Sequence, residues 1–276
     1  MTTKCFLDGG IVDQQSAGVA LSDRGFTLAD GVFETLRVRA GSVVDVQAHL
    51  ERLAGAMECL AFPRLSNGYL ADGCDLARHL EETREANGMA EGVLRLTITR
   101  GRGVRGLAPA PDAVPTVCIT AAQPPPSRPD DFTAVIATRT RRNEFSPLSR
   151  IKSLSYLDNV MALQEAGERG ADDAVLLNTR GNVACFTTAN LMARFGKDMV
   201  TPPVGDGALP GTVRRRLLER LRIIEMSLLP ADLERADEII STNSLGIRRL
   251  SALGGHIRAP GWKVFDAASE IYRGLL

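Results

Sequence analysis

Lysine is scarce in this chain of 276 residues: only Lys4, Lys152, Lys197 and Lys263 stand among 33 basic side chains. Arginine carries the rest of the positive charge, so each lysine invites a reason of its own. Histidine is scarcer still, and His49, His79 and His256 lie too far apart in sequence to suggest a histidine-rich metal centre. The five cysteines (Cys5, Cys59, Cys74, Cys118, Cys185) are odd in number and contain no C-x-x-C pair. That pattern speaks against a disulfide framework and a zinc site, and it suits a reducing cytoplasm. No apolar run approaches the ~18 residues needed to span a bilayer, and Met1 to Gly10 reads as a short strand entering a turn, not as an export signal. Formal net charge is zero, with acidic and basic residues interspersed. Neither nucleic acid nor a membrane surface is therefore an expected partner. What remains is a soluble globular protein, 44% hydrophobic, long enough for one large or two ordinary domains and suited to small-molecule chemistry.

Periodicity divides the chain. Asp45 to Phe62 and Leu70 to Asn87 carry apolar residues at helical spacing, the second ending at the stop signal Asn87-Gly88. Gly92 to Thr99 and Thr116 to Thr120 alternate β-branched residues and read as strands. The segment Gln123 to Asp131 is rich in proline and reads as a linker. Beyond it the pattern predicts a strand over Phe132 to Thr140 and a helix over Leu157 to Arg169 closed by Gly170. Hairpins are expected at Thr179-Arg180-Gly181-Asn182 and Phe195-Gly196-Lys197-Asp198. A helix near Thr212, a strand at Glu238 to Ser241 and a helix over Val264 to Leu275 complete the reading. The expected fold is α+β: an N-terminal α+β domain over 1–122, a linker over 123–131, and a C-terminal α/β domain over 132–276 carrying Lys152.

Lys152 lies in Ser149-Arg150-Ile151-Lys152-Ser153-Leu154, where apolar neighbours suggest partial burial. A desolvated lysine can lose its proton and attack a carbonyl, which arginine cannot do; the alternative is an exposed lysine at a loop-to-helix junction. Gly101-Arg102-Gly103-Val104-Arg105-Gly106 matches G-x-G-x-x-G, but Leu107-Ala108-Pro109-Ala110-Pro111 follows and cannot form the helix that a dinucleotide site requires. The loop's arginines either clamp a carboxylate or sit in solvent. Leu209-Pro210-Gly211-Thr212-Val213 places a turn before a helix that Thr212 can cap, forming either a phosphate cup or an ordinary helix start. Arg52 is either a solvated helix residue or a second phosphate ligand.

In order and spacing, these strings resemble the fold-type IV family of pyridoxal-phosphate enzymes, which includes branched-chain and D-amino-acid aminotransferases and aminodeoxychorismate lyase. The resemblance is carried by Asp23 to Phe26, Asp30 to Val38, His49 to Leu53, Ile151-Lys152 with Tyr156 to Asn159, Asn178 to Asn190, Thr201 to Pro203, Leu209 to Thr212 and Asp237-Glu238. It implies a two-domain subunit with the active site between the domains, a homodimer, and an amino acid or aminodeoxychorismate as substrate. It further implies Lys152 as the cofactor lysine, Arg52, Thr212, Val213 and Ser244 as phosphate ligands, and Arg105 and Tyr156 as substrate-binding residues. Within the family the lean is toward the lyase, a step in folate-precursor synthesis. The glycine-arginine loop and Asn243-Ser244-Leu245 are similar to the lyase, and Thr35 matches a threonine placed near its substrate. Glu34 instead resembles the aminotransferases, which remain the alternative.

One position departs from the pattern. Cys185 stands where the family has a glutamate that pairs with the pyridine nitrogen. A neutral thiol cannot hold that nitrogen protonated, so the cofactor's capacity to accept electrons should weaken. Elimination of a leaving group tolerates this better than transamination does, and a catalytically degenerate cofactor-binding homologue is a further possibility.

Overall fold

The computed structural model describes residues 3–62, 74–124, 129–257 and 263–275. The chain divides into two units: Met1–Pro126 with Ile151–Ser155, and Ser127–Arg150 with Tyr156–Leu275.

The first unit is built on a sheet of β1 (Lys4–Leu7), β2 (Gly10–Asp13), β3 (Gly31–Arg39), β4 (Ser42–Val43), β5 (Gly92–Thr99) and β6 (Thr116–Ala122), in the order β2-β1-β6-β5-β3-β4. Every neighbouring pair is antiparallel. Alternation fixes which face is buried. Val32, Leu36 and Val38 of β3, Leu94, Leu96 and Ile98 of β5, and Val117 and Ile119 of β6 share one core with Leu50 and Leu53 of α2 (Val46–Cys59) and Leu76 and Leu80 of α3 (Cys74–Ala86). The start expected at Leu70 lies outside the described residues. A short helix, α1 (Arg24–Leu28), is anchored by the fully buried Asp23, which accepts from Gly25 N, Thr99 Oγ1 and Thr116 Oγ1. Arg24 in turn donates to the carbonyls of Gly106 and Leu107 and fastens the glycine-arginine loop. Gly101 there has φ +85°, and a Cβ would sit 1.8 Å from the Val114 carbonyl. Gly101 and Gly103 thus serve close packing, Gly106 adopts φ +134° in open space, and no helix follows them.

The second unit contains β7 (Asp131–Ile136), α4 (Leu157–Glu168), β8 (Asp173–Leu177), β9 (Val183–Phe186), β10 (Asn190–Phe195), β11 (Asp198–Thr201), α5 (Thr212–Arg220), β12 (Ile223–Glu225), α6 (Pro230–Arg235), β13 (Glu238–Asn243), β14 (Gly246–Leu253), β15 (His256–Ile257) and α7 (Lys263–Arg273). Its mixed sheet runs β12-β11-β10-β13-β14-β7-β8-β9, with β15 on β14. Both expected hairpins form, β8–β9 around Gly181 at φ +86° and β10–β11 around Gly196 at φ +59°. One cluster, including Phe132, Val175, Phe186 and Leu191, and a second, including Ala162, Ala166, Ala174, Leu176 and Cys185, form separate cores in this unit.

Three expectations change. β7 ends at Ile136 instead of continuing to Thr140, because the buried Glu165 carboxylate of α4 takes the Thr138 and Arg139 N–H groups that would have extended the ladder. Thr212 does not cap α5. Gly211 is the N-cap, Thr212 is the first helical residue, and no side chain closes the cap. Lys152 does not belong with the C-terminal elements: its carbonyl accepts from Phe33 N at 2.9 Å, Leu154 N donates to Gly31 O at 2.9 Å, and Ser153 bridges to Val32. Backbone hydrogen bonds thereby tie this segment to β3 of the first unit.

Gly31 permits that approach, since a Cβ there would lie 2.7 Å from both the Ile98 carbonyl and Leu154 Cδ1. Gly31→Ala is therefore expected to destabilise the protein by roughly 1–3 kcal/mol in urea unfolding. An unchanged midpoint and slope would show that the Lys152 segment does not need this close contact.

Candidate active site

Lys152 is half-buried, with Nζ 4.2 Å from the Phe33 ring centroid. Burial, then the positive charges of Arg52 and Arg95, push its pKa down to about 7 against an opposing pull from Glu34. An ordinary lysine is almost wholly protonated at neutral pH. This one has a substantial neutral, nucleophilic fraction.

Beside it lies a buried ion cluster. Glu34 shares the inward-facing row of β3 with Val32 and Leu36, is fully buried, and accepts from His49 Nδ1 at 2.7 Å, Arg52 Nε at 2.8 Å and Arg52 Nη2 at 2.6 Å. Burial alone would raise its pKa. The hydrogen bonds from His49 and Arg52, with the Arg52 charge, outweigh that effect and bring it down to about 2. Arg52 is thus not the solvated helix residue that its sequence position allowed. It is held three residues from His49 on the inner face of α2. The signal was present in the sequence, because a glutamate on the apolar parity of a strand requires buried partners.

On the other face of β3, Thr35 follows Phe33 by two residues and stands opposite Arg95 of β5. The guanidinium of Arg95 lies 3.7 Å from the Phe33 centroid, so Thr35, Phe33 and Arg95 form one surface. Arg105 is exposed on its loop, and no described contact joins it to Lys152.

In the second unit, α5 begins with Thr212 and Val213, both buried, and the first N–H groups of a helix lack intrahelical acceptors. Asn190 shapes the entry: its Nδ2 donates to Leu209 O at 2.7 Å, and a Cβ on Gly211 would collide with its Oδ1. Directly across the ladder from Asn190 is Thr242, whose buried Oγ1 has no hydrogen-bond partner. Two residues on, the Ser244 carbonyl accepts from Tyr272 Oη. Tyr156 is half-buried at the start of α4.

Cys185 is buried in the second, alanine-rich cluster. Burial raises its pKa, with Arg142 opposing and Asp173 adding to the rise, so it is a neutral thiol. Asp173 is the carboxyl group that acts on Cys185, and its Oδ1 accepts from Thr187 Oγ1, Thr187 N and Ala174 N. Arg142 was not singled out by sequence reasoning. It donates to the carbonyls of Gly207 and Ser149 and to Asn159 Oδ1, and Asn159 Nδ2 donates to Thr187 O. Nothing in its local sequence marked it, because its position depends on long-range pairing with Asn178. Among the described residues no group of three or more potential ligands could hold a metal ion, and no described helix is long and apolar enough to cross a membrane.

Residues 31–253 match the family described as Amino-transferase class IV. The chain is 28% identical over 247 residues to the aminodeoxychorismate lyase of Bacillus subtilis, covering 87% of this chain and 83% of that protein. It is also 28% identical over 250 residues to the D-alanine aminotransferase of Staphylococcus haemolyticus, covering 88% and 86%. The structure of a hypothetical aminotransferase from Mycobacterium tuberculosis in its PLP-bound form superposes with a TM-score of 0.84 at 25% identity, covering 99% of this chain and 98% of that one. The chain belongs to the class IV amino-transferase family, whose enzymes depend on pyridoxal phosphate.

Residues present here fit that group. An amine with a pKa near 7 suits an aldehyde, while an unpartnered buried hydroxyl at Thr242 and the start of α5 suit phosphate oxygens. The position of Cys185 supplies no acid.

The Glu34 cluster makes stability pH-dependent. Its folded-state pKa lies below the ordinary value near 4.5, so the stabilisation is full above that value and is lost as pH falls toward 2. The loss is on the order of 3 kcal/mol. Urea unfolding between pH 6 and 2.5 should show this fall, and Glu34→Gln, less stable at neutral pH, should flatten it. A wild-type profile as flat as the variant's would refute the assignment.

Proposed function

We propose that this member of the class IV amino-transferase family is a pyridoxal-phosphate lyase that converts 4-amino-4-deoxychorismate to pyruvate and 4-aminobenzoate, with a cytoplasmic homodimer as the working form. The observation that carries this reading is Cys185, a buried neutral thiol in an alanine-rich cluster, where the family resemblance implies a glutamate. Similarity to the Bacillus subtilis lyase supports it.

Bound at Lys152, pyridoxal phosphate would withdraw electrons from the carbon that carries the substrate amine. Transamination would draw more heavily than elimination on that electron-withdrawing capacity, and so on an acidic partner for the ring nitrogen. In the lyase reaction a proton leaves the amine-bearing carbon and the neighbouring C–O bond breaks. The electron pair departs with the enolpyruvyl oxygen, and the ring becomes aromatic. Charge leaves with the pyruvate portion, and aromatisation makes the step favourable.

Roles for the chain's residues follow from this reading. Lys152 Nζ takes the proton from carbon and returns one to the leaving group, a task suited to an amine near its pKa at neutral pH. Arg52, Thr212, Val213 and Ser244 would hold the phosphate, and Cys185 would stand where the family resemblance places the partner of the ring nitrogen. Thr35, two residues along the strand from Phe33, orients the leaving portion. Tyr156 and Arg105 contact substrate. The exposure of Arg105 is consistent with a loop that serves a second copy of the chain.

An aminotransferase acting on branched-chain or D-amino acids is the second reading. It is favoured by Glu34, which matches those enzymes, and by equal identity to a D-alanine aminotransferase.

Fluorescence of released 4-aminobenzoate, measured beside amino transfer to pyruvate and 2-oxoglutarate, separates the two. The lyase reading expects steady release, with a loss of about 10³-fold or more for Lys152→Ala. Amino transfer without release would replace it with the second reading. Cys185→Glu should raise transamination about tenfold or more if ring protonation is what the wild-type protein lacks, and an unchanged rate would sink that argument.

A further inference from the structure

His49 lies within the same cluster and has no role in the reading above. It is buried to 2% exposure on the inner face of α2, and its Nδ1 meets Glu34 Oε2 at 2.7 Å. The same oxygen accepts from Arg52 Nη2 at 2.6 Å, while Oε1 accepts from Arg52 Nε at 2.8 Å. Two acceptor atoms thus face three donors from one helix. His49 and Arg52 are three residues apart, so both project onto the same side of the helix.

This geometry limits how Glu34 can rotate. A carboxylate held only by Arg52 could swing with that long side chain, whereas a third donor on a short, packed imidazole fixes its plane. Fixing the plane fixes the Nε–Nη2 edge of Arg52, and with it the direction of the guanidinium. Glu34 also follows directly after Phe33, whose N–H donates to the Lys152 carbonyl and whose ring lies 4.2 Å from Nζ. Strand β3 therefore carries both the ion pair and the residue that contacts Lys152.

We propose that His49 is a positioning residue that acts through Glu34 to hold the Arg52 guanidinium in place, and so conditions the reactivity of the Lys152 amine. The inference rests on reading Lys152 as the carbonyl-reactive amine. The charged groups acting on that amine come from three elements: Glu34 on β3, Arg52 on α2 and Arg95 on β5. Of these, Arg52 and Glu34 are bound to each other, and His49 is a neighbour that touches the pair through Glu34 without carrying the chemistry. If Arg52 swings away, the lysine loses a repelling cation and meets a less compensated carboxylate. Both changes favour its protonated form.

Competitive labelling with acetic anhydride on the full chain freed of cofactor tests this without an activity assay. Acetylation of Lys152 is followed by mass spectrometry from pH 5 to 10, with the exposed Lys197 as internal reference. The wild-type midpoint is expected near 7. His49→Phe fills the space but donates nothing, and should raise the midpoint by about one pH unit. His49→Gln restores a donor and should stay near wild type. In an Arg52→Gln background, which itself raises the midpoint, His49→Phe should add no further shift, because its effect runs through Arg52.

Should His49→Phe not fold, Glu34→Asp retains the charge but gives up the reach to both partners, and it should show the same upward shift. A folded His49→Phe protein with the wild-type midpoint, an Asp variant with an unchanged midpoint, or additive shifts in the double variant would each overturn the proposal. Absorbance of the wild-type protein with pyridoxal phosphate is a separate readout. Absence of a Lys152-dependent band would end the functional reading and leave the labelling series to decide the role of His49 independently.

Discussion

The pairing of Ile151–Ser155 with β3 is the constraint on which the site in the first unit depends. Phe33 N to Lys152 O, Leu154 N to Gly31 O and the Val32–Ser153 bridge are backbone interactions, so the path of this segment is set without using the side chain at 152. Leucine or methionine there would satisfy the packing at lower cost. A lysine in this place is desolvated and near two arginines, which penalises its charged form. The fold tolerates the conflict because a lysine can shed its proton.

The second unit solves a different problem, that of building a shaped polar surface on a buried sheet. Asn190 is used twice, donating to the Leu209 carbonyl while packing its amide oxygen where a Gly211 side chain would be. Gly211 is therefore a steric necessity as well as the N-cap of α5. Arg142, Asn159 and Thr187 extend the surface through hydrogen bonds to one another. Their neighbour Cys185 faces alanines and Leu176, and a carboxylate in that pocket would need a counter-charge. Arg142 acts electrostatically on Cys185, and among the described residues its hydrogen bonds go to carbonyl oxygens, none of them a carboxylate's. Arg142 and Asp173 act on the thiol in opposite senses, and burial remains the larger cause of its raised pKa.

Much of the fold was legible because local patterns and tertiary structure agree. β5 spans Gly92–Thr99, as its alternation predicts, and the helices at 46–59 and 157–168 follow their apolar spacing. Scarcity and neighbours singled out Lys152 but left two readings open, as the sequence did for Arg52, and the family resemblance chose between them and brought in Cys185. Features that depend on distant partners were not legible. The unit to which Lys152 belongs is decided by β3, the end of β7 by a glutamate on α4, and the place of Arg142 by Asn178. The cap of α5 failed for a local reason: Gly211 and Thr212 are both acceptable cap residues, and only backbone geometry distinguishes them. Glu34 was read as a subfamily marker, although its parity on β3 already required it to face the core.

That buried carboxylate bears on stability and chemistry in opposite senses. Its bonds to His49 and Arg52 make it one of the strongly ionised groups of the protein, and its charge pulls the Lys152 pKa up, away from the value that chemistry needs. Arg52 pushes in the opposite direction. Because the two are bound to each other, their effects on the lysine partly cancel, and burial is left as the larger cause of its depressed pKa. Burial in turn follows from the backbone pairing with β3 that Gly31 allows. The chain of dependence therefore runs from a glycine to a strand pairing, from the pairing to desolvation, and from desolvation to a neutral amine. The ion pair adds to this in both directions, Arg52 lowering and Glu34 raising the pKa of the amine.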